Sequence, residues 1–288
     1  MYKNLSAICL FVSAIAIHSV HCTAEDIATD VKNGNRSNQD GGFLELGLLT
    51  GYMNNPFHLK AKSEMEDTVI DLDASFVYRK SGFFAEAVFA TQDGVNLGYN
   101  FWQNENWSVD LLAGSLSGSY DFDFKDEPRA ANEEEQRNKE LYHRNTFHTG
   151  TGVRVTRYIH DYVVQYRLVT DVLDDNGVIS TLRLGRAWQY RNWSVHAILS
   201  AIYTSKETNQ YWFGVKQSQS TPQNPPFYPE ASLSYSAVFG VTRPINEKWV
   251  FRGIAGWEET PDEIKPSTFV DDKDRSYLGV SVSRVFWN

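Results

Sequence analysis

Two adjoining stretches of the chain alternate apolar residues with small or polar ones, and this pattern limits the possible folds more than any other feature. Apolar side chains occupy every second position of residues 231–242, and the alternation resumes over residues 249–258 after a short polar turn. Side chains two apart in a β-strand lie on one face of the sheet. The pattern therefore predicts a hairpin with one apolar face. Each limb has about ten residues, roughly what a tilted strand needs to cross a bilayer.

Similar alternation recurs along the chain and predicts twelve strands. The predicted strands are 43–52, 69–79, 83–91, 95–102, 107–120, 147–158, 162–172, 178–190, 193–204, 231–242, 249–258 and 277–286. Tight turns follow the even-numbered strands, and the longest connections follow strands one, five, nine and eleven. An even strand count with short turns at one end is typical of outer-membrane barrels. We therefore predict an all-β fold, a 12-stranded antiparallel transmembrane β-barrel of outer-membrane type, over residues 43–288.

Each strand that follows a tight turn begins with an aromatic residue. These residues are Phe83, Trp107, Tyr162, Trp193 and Trp249. Rings at one level of a barrel predict an aromatic girdle at the membrane interface. The alternative is a soluble β-sandwich with these rings in its core. A sandwich gives no reason for long and short loops to segregate, so the barrel is favoured.

Residues 1–24 have the features of a secretory signal peptide. Lys3 supplies a positive charge, and residues 5–20 form an apolar stretch too short for a membrane-spanning helix. Small residues then precede a predicted cleavage site between Ala24 and Glu25. Residues 25–42 are polar without periodicity, so we expect a flexible periplasmic tail.

Both cysteines, Cys9 and Cys22, precede the predicted cleavage site, so the mature chain is expected to contain no disulfide. Acylation of Cys22 is the weaker alternative, because His21 occupies the position where lipoprotein signals have a small residue. A net charge of -9 argues against nucleic-acid binding. The sequence therefore predicts an exported protein whose stability depends on strand pairing.

Charged residues within the predicted strands fall mainly on the inward face. They are His148, His196, Asp71, Asp73, Glu86, Asp110, Arg154, Arg167, Arg183, Arg252 and Glu258. Since unpaired buried charge is costly, we expect ion pairs that largely fill a narrow lumen. The alternative is an enzyme using His196 with Ser194 or Ser200. No nucleophile motif surrounds these serines, so no catalytic, cofactor-binding or metal-binding residues are predicted.

The long loops offer two further features. The acidic runs 133–135 and 271–274 lack the ligand spacing of a calcium loop and are expected to be solvated, although binding of cations beside lipopolysaccharide is an alternative. The segment Tyr211, Trp212, Phe213 and Gly214 is predicted to cap the barrel mouth or to extend the ninth strand. The alternative is an exposed contact for a partner, because aromatic residues are common hot spots.

Three segments resemble the MipA/OmpV family of outer-membrane proteins. Residues 209–216, with the sequence NQYWFGVK, resemble the family's Tyr-x-x-x-Phe-Gly-Val segment. Residues 241–249, VTRPINEKW, resemble its penultimate hairpin turn, and residues 94–99, GVNLGY, are a weaker match. The similarity extends over residues 43–286.

The resemblance implies a non-enzymatic barrel in contact with outer-membrane lipid and lipopolysaccharide. Its implied role is a scaffold that joins a murein lytic transglycosylase to a peptidoglycan synthase. The alternative is a narrow channel or a surface-loop adhesin that affects the entry of solutes or antibiotics. No cofactor is expected, and the family provides no catalytic residues to carry over.

Overall fold

Twelve antiparallel β-strands close into a barrel in the computed structural model, which describes residues 40–54, 56–57, 68–87, 93–119, 146–172 and 177–287. The strands are β1 (Gly41–Asn54), β2 (Thr68–Lys80), β3 (Phe83–Ala87), β4 (Val95–Gln103), β5 (Trp107–Ser119), β6 (Thr146–Ile159), β7 (Tyr162–Asp171), β8 (Val178–Tyr190), β9 (Trp193–Thr204), β10 (Ser232–Pro244), β11 (Trp249–Glu258) and β12 (Arg275–Trp287). Each strand pairs with its neighbours in sequence, and β1 pairs with β12. The predicted barrel is confirmed.

The alternation of residue types places apolar side chains on the outside of this barrel. Leu48, Ile70 and Leu72 on the outer face are 64%, 79% and 73% exposed. Asp73 on the inner face is 2% exposed. Large apolar side chains on the exterior and a polar interior suit a barrel that is surrounded by lipid. The closed barrel also satisfies every backbone hydrogen bond, which the interior of the bilayer requires.

The two ends of the barrel differ in the length of their connections. In the turn after β2, Ser81 and Gly82 have φ values of 52° and 85°, and two positive φ angles are what a type I′ hairpin turn requires. Equally short turns follow β6 and β8 at this end. Short turns are periplasmic in outer-membrane barrels, so we name this end periplasmic and the opposite end extracellular. The five aromatic residues of the predicted girdle are the first residues of β3, β5, β7, β9 and β11 at the periplasmic end.

The connection after β9 differs from the prediction. Residues Lys206–Phe213 form a helix, α1, and Gln217–Gln219 form a turn of 3-10 helix. The suggestion that residues 211–215 extend the ninth strand is therefore wrong. Ser205 caps α1, because its hydroxyl accepts a hydrogen bond from the backbone N–H of Thr208.

Several predicted features lie outside the described residues. They include the cleavage site at Ala24 and Glu25, most of the tail, the acidic run 133–135 and the second half of the third predicted strand. Among the described residues, neither α1 nor the 3-10 turn has the length and hydropathy that a membrane-spanning helix needs.

Candidate functional site

A network of charged side chains lies inside the barrel between β2 and β8. We call it the lumen network, and its members are Arg79, Glu86, Asp93, Asp110, Arg154, Arg167 and Arg183. Four arginines face three carboxylates, so its formal net charge is +1. All seven side chains are at most 14% exposed.

Arg154 on β6 is the centre of one half of the lumen network. Its Nε donates to Oδ2 of Asp110 at 2.8 Å, and a terminal nitrogen contacts Oε1 of Glu86. Arg79 approaches the other oxygen of Glu86 at 3.3 Å. The ring of Phe84 lies beneath both guanidinium groups, with centroid distances of 5.3 Å to Arg79 and 5.0 Å to Arg154. The network therefore joins β2, β3, β5 and β6 across the interior.

The other half of the lumen network converges on Asp93, just before β4. Arg183 on β8 binds this carboxylate through two nitrogens, at 2.6 and 2.7 Å. Arg167 on β7 lies 3.7 Å from it and also donates to Asn96 at 3.4 Å. Because β4 and β8 are four strands apart around the barrel, these contacts cross the lumen rather than follow its wall.

On the other side of the barrel, polar contacts join strands that are only two apart and so follow the wall. Arg252 on β11 binds both oxygens of Glu45 on β1, at 2.8 and 2.5 Å. Asp73 accepts hydrogen bonds from the hydroxyl groups of Ser281 and Ser283, at 2.6 and 3.1 Å. The prediction that inward charges pair inside the barrel is confirmed for the residues of these clusters. Asp71 differs, because it is exposed near the extracellular end of β2.

His196 lies on the inward face of β9, where its imidazole covers Gly240. A Cβ atom at that glycine would lie 2.3 Å from the ring, so the small residue makes room for the imidazole. Ser194 and Ser200 are two and four residues away on the same strand. Positions two and four apart on a strand are roughly 7 and 13 Å apart. The register therefore gives no support to a Ser–His pair on this strand.

Three extracellular connections pack together at the other end of the barrel. We call residues 56–57, 205–231 and 259–274 the extracellular cap. Its buried apolar side chains are Phe213, Val215, Ile264, Phe269 and Val270, with Phe57, Trp212 and Phe227 packed against them. Phe269 is fully buried, and the rings of Phe57 and Phe213 lie 5.5 Å apart. A small apolar core thus stabilises these loops outside the barrel.

Polar contacts fix the relative positions of the same loops. The hydroxyl of Ser267 donates to the carbonyl of Phe213 at 2.7 Å, and the hydroxyl of Thr268 donates to Asn224 at 2.6 Å. The backbone N–H of Asp271 donates to the carbonyl of Pro56 at 2.8 Å. Hydrogen bonds thus join all three connections of the cap.

The predicted aromatic segment forms the end of α1 within this cap. Phe213 is buried, Trp212 packs against the apolar core, and Gly214 donates its N–H to the carbonyl of Gln210 at the helix end. The burial of Phe213 fits a cap better than an exposed anchor. A contact of Tyr211 or Trp212 with a partner remains a prediction.

The surface of the extracellular cap is acidic. Residues 205–231 and 259–274 contain eight carboxylates and four lysines, a formal net charge of -4. A hydrogen bond from Lys265 to Asp262 raises the pKa of that lysine. The pKa of Glu207, in the first turn of α1, is lowered by hydrogen bonds from its own backbone N–H and from the hydroxyl of Ser205. Within the described ranges, no group of three or more His, Cys, Asp or Glu side chains is arranged to hold a metal ion.

Comparisons with known proteins give one match over most of the chain and two over a shorter stretch. The profile of the family described as MltA-interacting protein MipA matches residues 46–286. Outer membrane protein OmpV of Vibrio cholerae is 27% identical over 84 residues, which is 29% of this chain and 33% of that protein. Outer membrane protein Omp26La of Vibrio anguillarum is 25% identical over a stretch of the same length. The chain thus matches about a third of the length of these curated relatives.

Solved outer-membrane barrels are similar at low identity. The NanC porin has a TM-score of 0.41 and 8% identity, over 83% of this chain and 98% of the porin. The toluene transporter TodX of Pseudomonas putida has a TM-score of 0.37 and 12% identity, over 93% of this chain and 94% of the transporter.

Proposed function

This chain belongs to the MltA-interacting protein MipA family of outer-membrane β-barrels, and we propose that it is a non-enzymatic scaffold for peptidoglycan-remodelling enzymes. The observation that carries the proposal is the family match over residues 46–286, because the family is named for an interaction with MltA. A murein lytic transglycosylase is the proposed first partner, and a peptidoglycan synthase is the second.

The charged side chains of the lumen support a structural role. Glu86 and Asp110 both bind Arg154, and Asp93 binds Arg183. Carboxylates held in such pairs are poor candidates for a general acid or base, because each is already committed to an arginine. His196 is buried against Gly240, away from bulk solvent. These contacts disfavour a reaction inside the barrel and so support the non-enzymatic part of the proposal.

The binding surface of such a scaffold is expected at the periplasmic end. The turns at that end are as short as residues 81–82 and 191–192, and a stable interface buries roughly 800 Å² on each partner. Such turns are too small to supply this area alone. We therefore propose that residues 25–42 bind the transglycosylase together with the periplasmic turns.

Deleting residues 25–39, which precede Asp40 and β1, while keeping the signal peptide is expected to abolish capture of the transglycosylase from detergent extracts. The physical reason is loss of most of the interface area. The measurement is a pull-down of the folded, detergent-solubilised barrel, followed by assay of the bound fraction for murein lytic activity. Deleting residues 121–141 in an extracellular loop is the matched control and should leave capture intact. Failure of the intact chain to recover any murein enzyme would refute the scaffold role.

The folded extracellular cap favours a second candidate, a surface or solute-entry role. The cap lies at the extracellular end of the barrel, where solutes and surface ligands reach the protein. We expect purified protein in planar bilayers to show at most a small conductance, since Arg183 and Asp93 cross the lumen. The control is a porin reconstituted in the same way. A large single-channel conductance would contradict the narrow lumen and favour a transport role.

A further inference from the structure

All basic residues on the outward face of the described strands lie at the periplasmic end. We call them the basic rim, and they are Lys80, Arg157, Arg186, Arg243 and Arg284. The acidic residues of the described strands are on the inward face instead. These are Glu45, Asp71, Asp73, Glu86, Asp110, Asp171 and Glu258. The lipid-facing surface of the strands is therefore uniformly positive at this end.

Each residue of the basic rim lies beside one of the five aromatic residues that begin the odd-numbered strands. Four of these pairs are direct cross-strand partners: Lys80 with Phe83, Arg157 with Trp107, Arg186 with Tyr162, and Arg284 with Trp249. In the fifth pair, Arg243 covers the ring of Trp193 at 5.1 Å. This regularity joins five separate hairpins, so it points to a common environment around the barrel.

The guanidinium groups of the basic rim stack on rings. The distance from the guanidinium carbon to the ring centroid is 4.8 Å for Arg157 on Trp107, 4.7 Å for Arg186 on Tyr162, and 5.3 Å for Arg284 on Phe286. Cation–π stacking holds the plane of the guanidinium against the ring and leaves its N–H groups at the edge available to donate.

Few carboxylates neutralise the basic rim. Among the described residues, Arg157, Arg243 and Arg284 make no ion pair. Arg186 lies 3.9 Å from Asp161, whose side chain is 72% exposed. An exposed pair at that distance contributes little. Arg157, Arg243 and Arg284 are also exposed on the outward face, so their N–H donors face the surroundings of the barrel.

The surroundings at this level are lipid headgroups. Aromatic girdles mark the membrane–water interface, and arginine stems lie along apolar surface with the charged end toward water. We propose that the basic rim binds anionic phospholipids of the periplasmic leaflet, with phosphatidylglycerol as the representative headgroup. Arginine holds a phosphate through two parallel hydrogen bonds. The extracellular cap, with its net charge of -4, has the opposite preference. This inference concerns the lipid-facing surface and does not depend on the proposed scaffold role.

The test replaces three arginines of the rim and keeps their rings. The variant R157Q/R243Q/R284Q and the natural chain are folded into vesicles of phosphatidylethanolamine and phosphatidylglycerol. Quenching of tryptophan fluorescence by phosphatidylglycerol with brominated acyl chains gives the binding constant of that lipid relative to phosphatidylethanolamine. Trp107, Trp193 and Trp249 lie beside the rim and report directly on its lipids.

The natural chain is expected to prefer phosphatidylglycerol about fivefold, the effect of roughly one basic residue near an anionic surface. The triple variant is expected to bind the two lipids equally. The variant R157K/R243K/R284K, which keeps the charge and loses the paired donors, should retain part of the preference. The control K206Q/K216Q/K273Q removes the same charge from the extracellular cap and should retain all of it.

Resistance of the folded barrel to sodium dodecyl sulfate before heating verifies that each variant has folded. An equal binding constant for the two lipids in the natural chain would overturn the proposal. So would an unchanged preference in the folded triple variant. Loss of transglycosylase capture in that variant, with its lipid preference unchanged, would instead assign the basic rim to the protein partner and refute lipid binding.

Discussion

Replacing Arg154 by methionine is expected to lower the free energy of unfolding by about 3–5 kcal/mol, which is the usual cost of breaking a buried ion pair from one side. Arg154 binds Asp110 and Glu86 in the interior of the barrel. After the substitution, Glu86 still has Arg79 at 3.3 Å. Asp110, with a side chain that is 4% exposed, loses its counter-charge.

The hydrogen bonds that remain at Asp110 cannot replace a cation. Asn100 donates to its Oδ1 at 2.7 Å, and Ser108 lies 3.5 Å from the same oxygen. These neutral donors orient the carboxylate, but they offset only part of its lost hydration. The measurement is urea unfolding of the barrel in lipid vesicles, followed by tryptophan fluorescence.

A second substitution separates charge from packing in this prediction. The double variant R154M/D110N removes the stranded charge and should recover most of the lost stability, because the amide of asparagine still bonds Asn100 and Ser108. The control is Lys206→Met, which breaks the exposed pair with Glu230 at 2.8 Å and should cost less than about 1 kcal/mol. If R154M and R154M/D110N prove equally destabilised, the stability lies in the packing of Arg154 on Phe84 and not in its charge.

Much of this interior could be predicted from the sequence, because a period of two is a local property. The alternation alone assigned Glu86, Asp110 and Arg154 to the inward face. The pairing partners could not be predicted in the same way. Arg154 on β6 reaches Glu86 on β3, three strands away around the barrel. That contact depends on the stagger between strands, which no single segment of sequence specifies.

The extracellular cap shows where pattern analysis is weakest. The apolar side chains of segment 211–215 were compatible with a strand. In the structure, Ser205 caps helix α1 and Gly214 ends it. A serine at the helix start with an acidic residue, Glu207, in the first turn is a signal that was available in the sequence. The association of Phe57 with Phe213 and Val270 was not available, since it joins three loops that are distant along the chain.

The basic rim could have been identified from parity alone. Arg154 and Arg157 are three positions apart on one strand, so they must lie on opposite faces, and the same holds for Arg183 and Arg186. Arg157 and Arg186, the second member of each pair, are missed when only inward charges are considered. The regular pairing of the basic rim with aromatic residues depends on the register of neighbouring strands, so it could be seen only in the structure.

Replacing Phe269 by alanine is expected to open the extracellular cap and leave the barrel intact. Phe269 is fully buried at the centre of the cap core, beside Phe213 and Ile264. Truncating a buried phenylalanine costs about 3–5 kcal/mol, because contacts are lost and a cavity remains. The cap is small and lies outside the strands, so this cost should exceed its local stability while strand pairing persists.

Limited trypsin digestion of the intact, membrane-embedded protein measures this opening. Cleavage after Lys216 is the informative site, because it lies on the connection after β9 whereas the substitution lies on the connection after β11. If the loops form one cooperative unit, cleavage after Lys216 should accelerate about a hundredfold, in proportion to the population of the open cap. Glu263→Ala is the control, because that side chain is exposed on the same connection as Phe269 and its removal should change the rate little. Faster cleavage confined to the connection after β11 would show that the loops open independently, and the cap would then be three separate loops in contact.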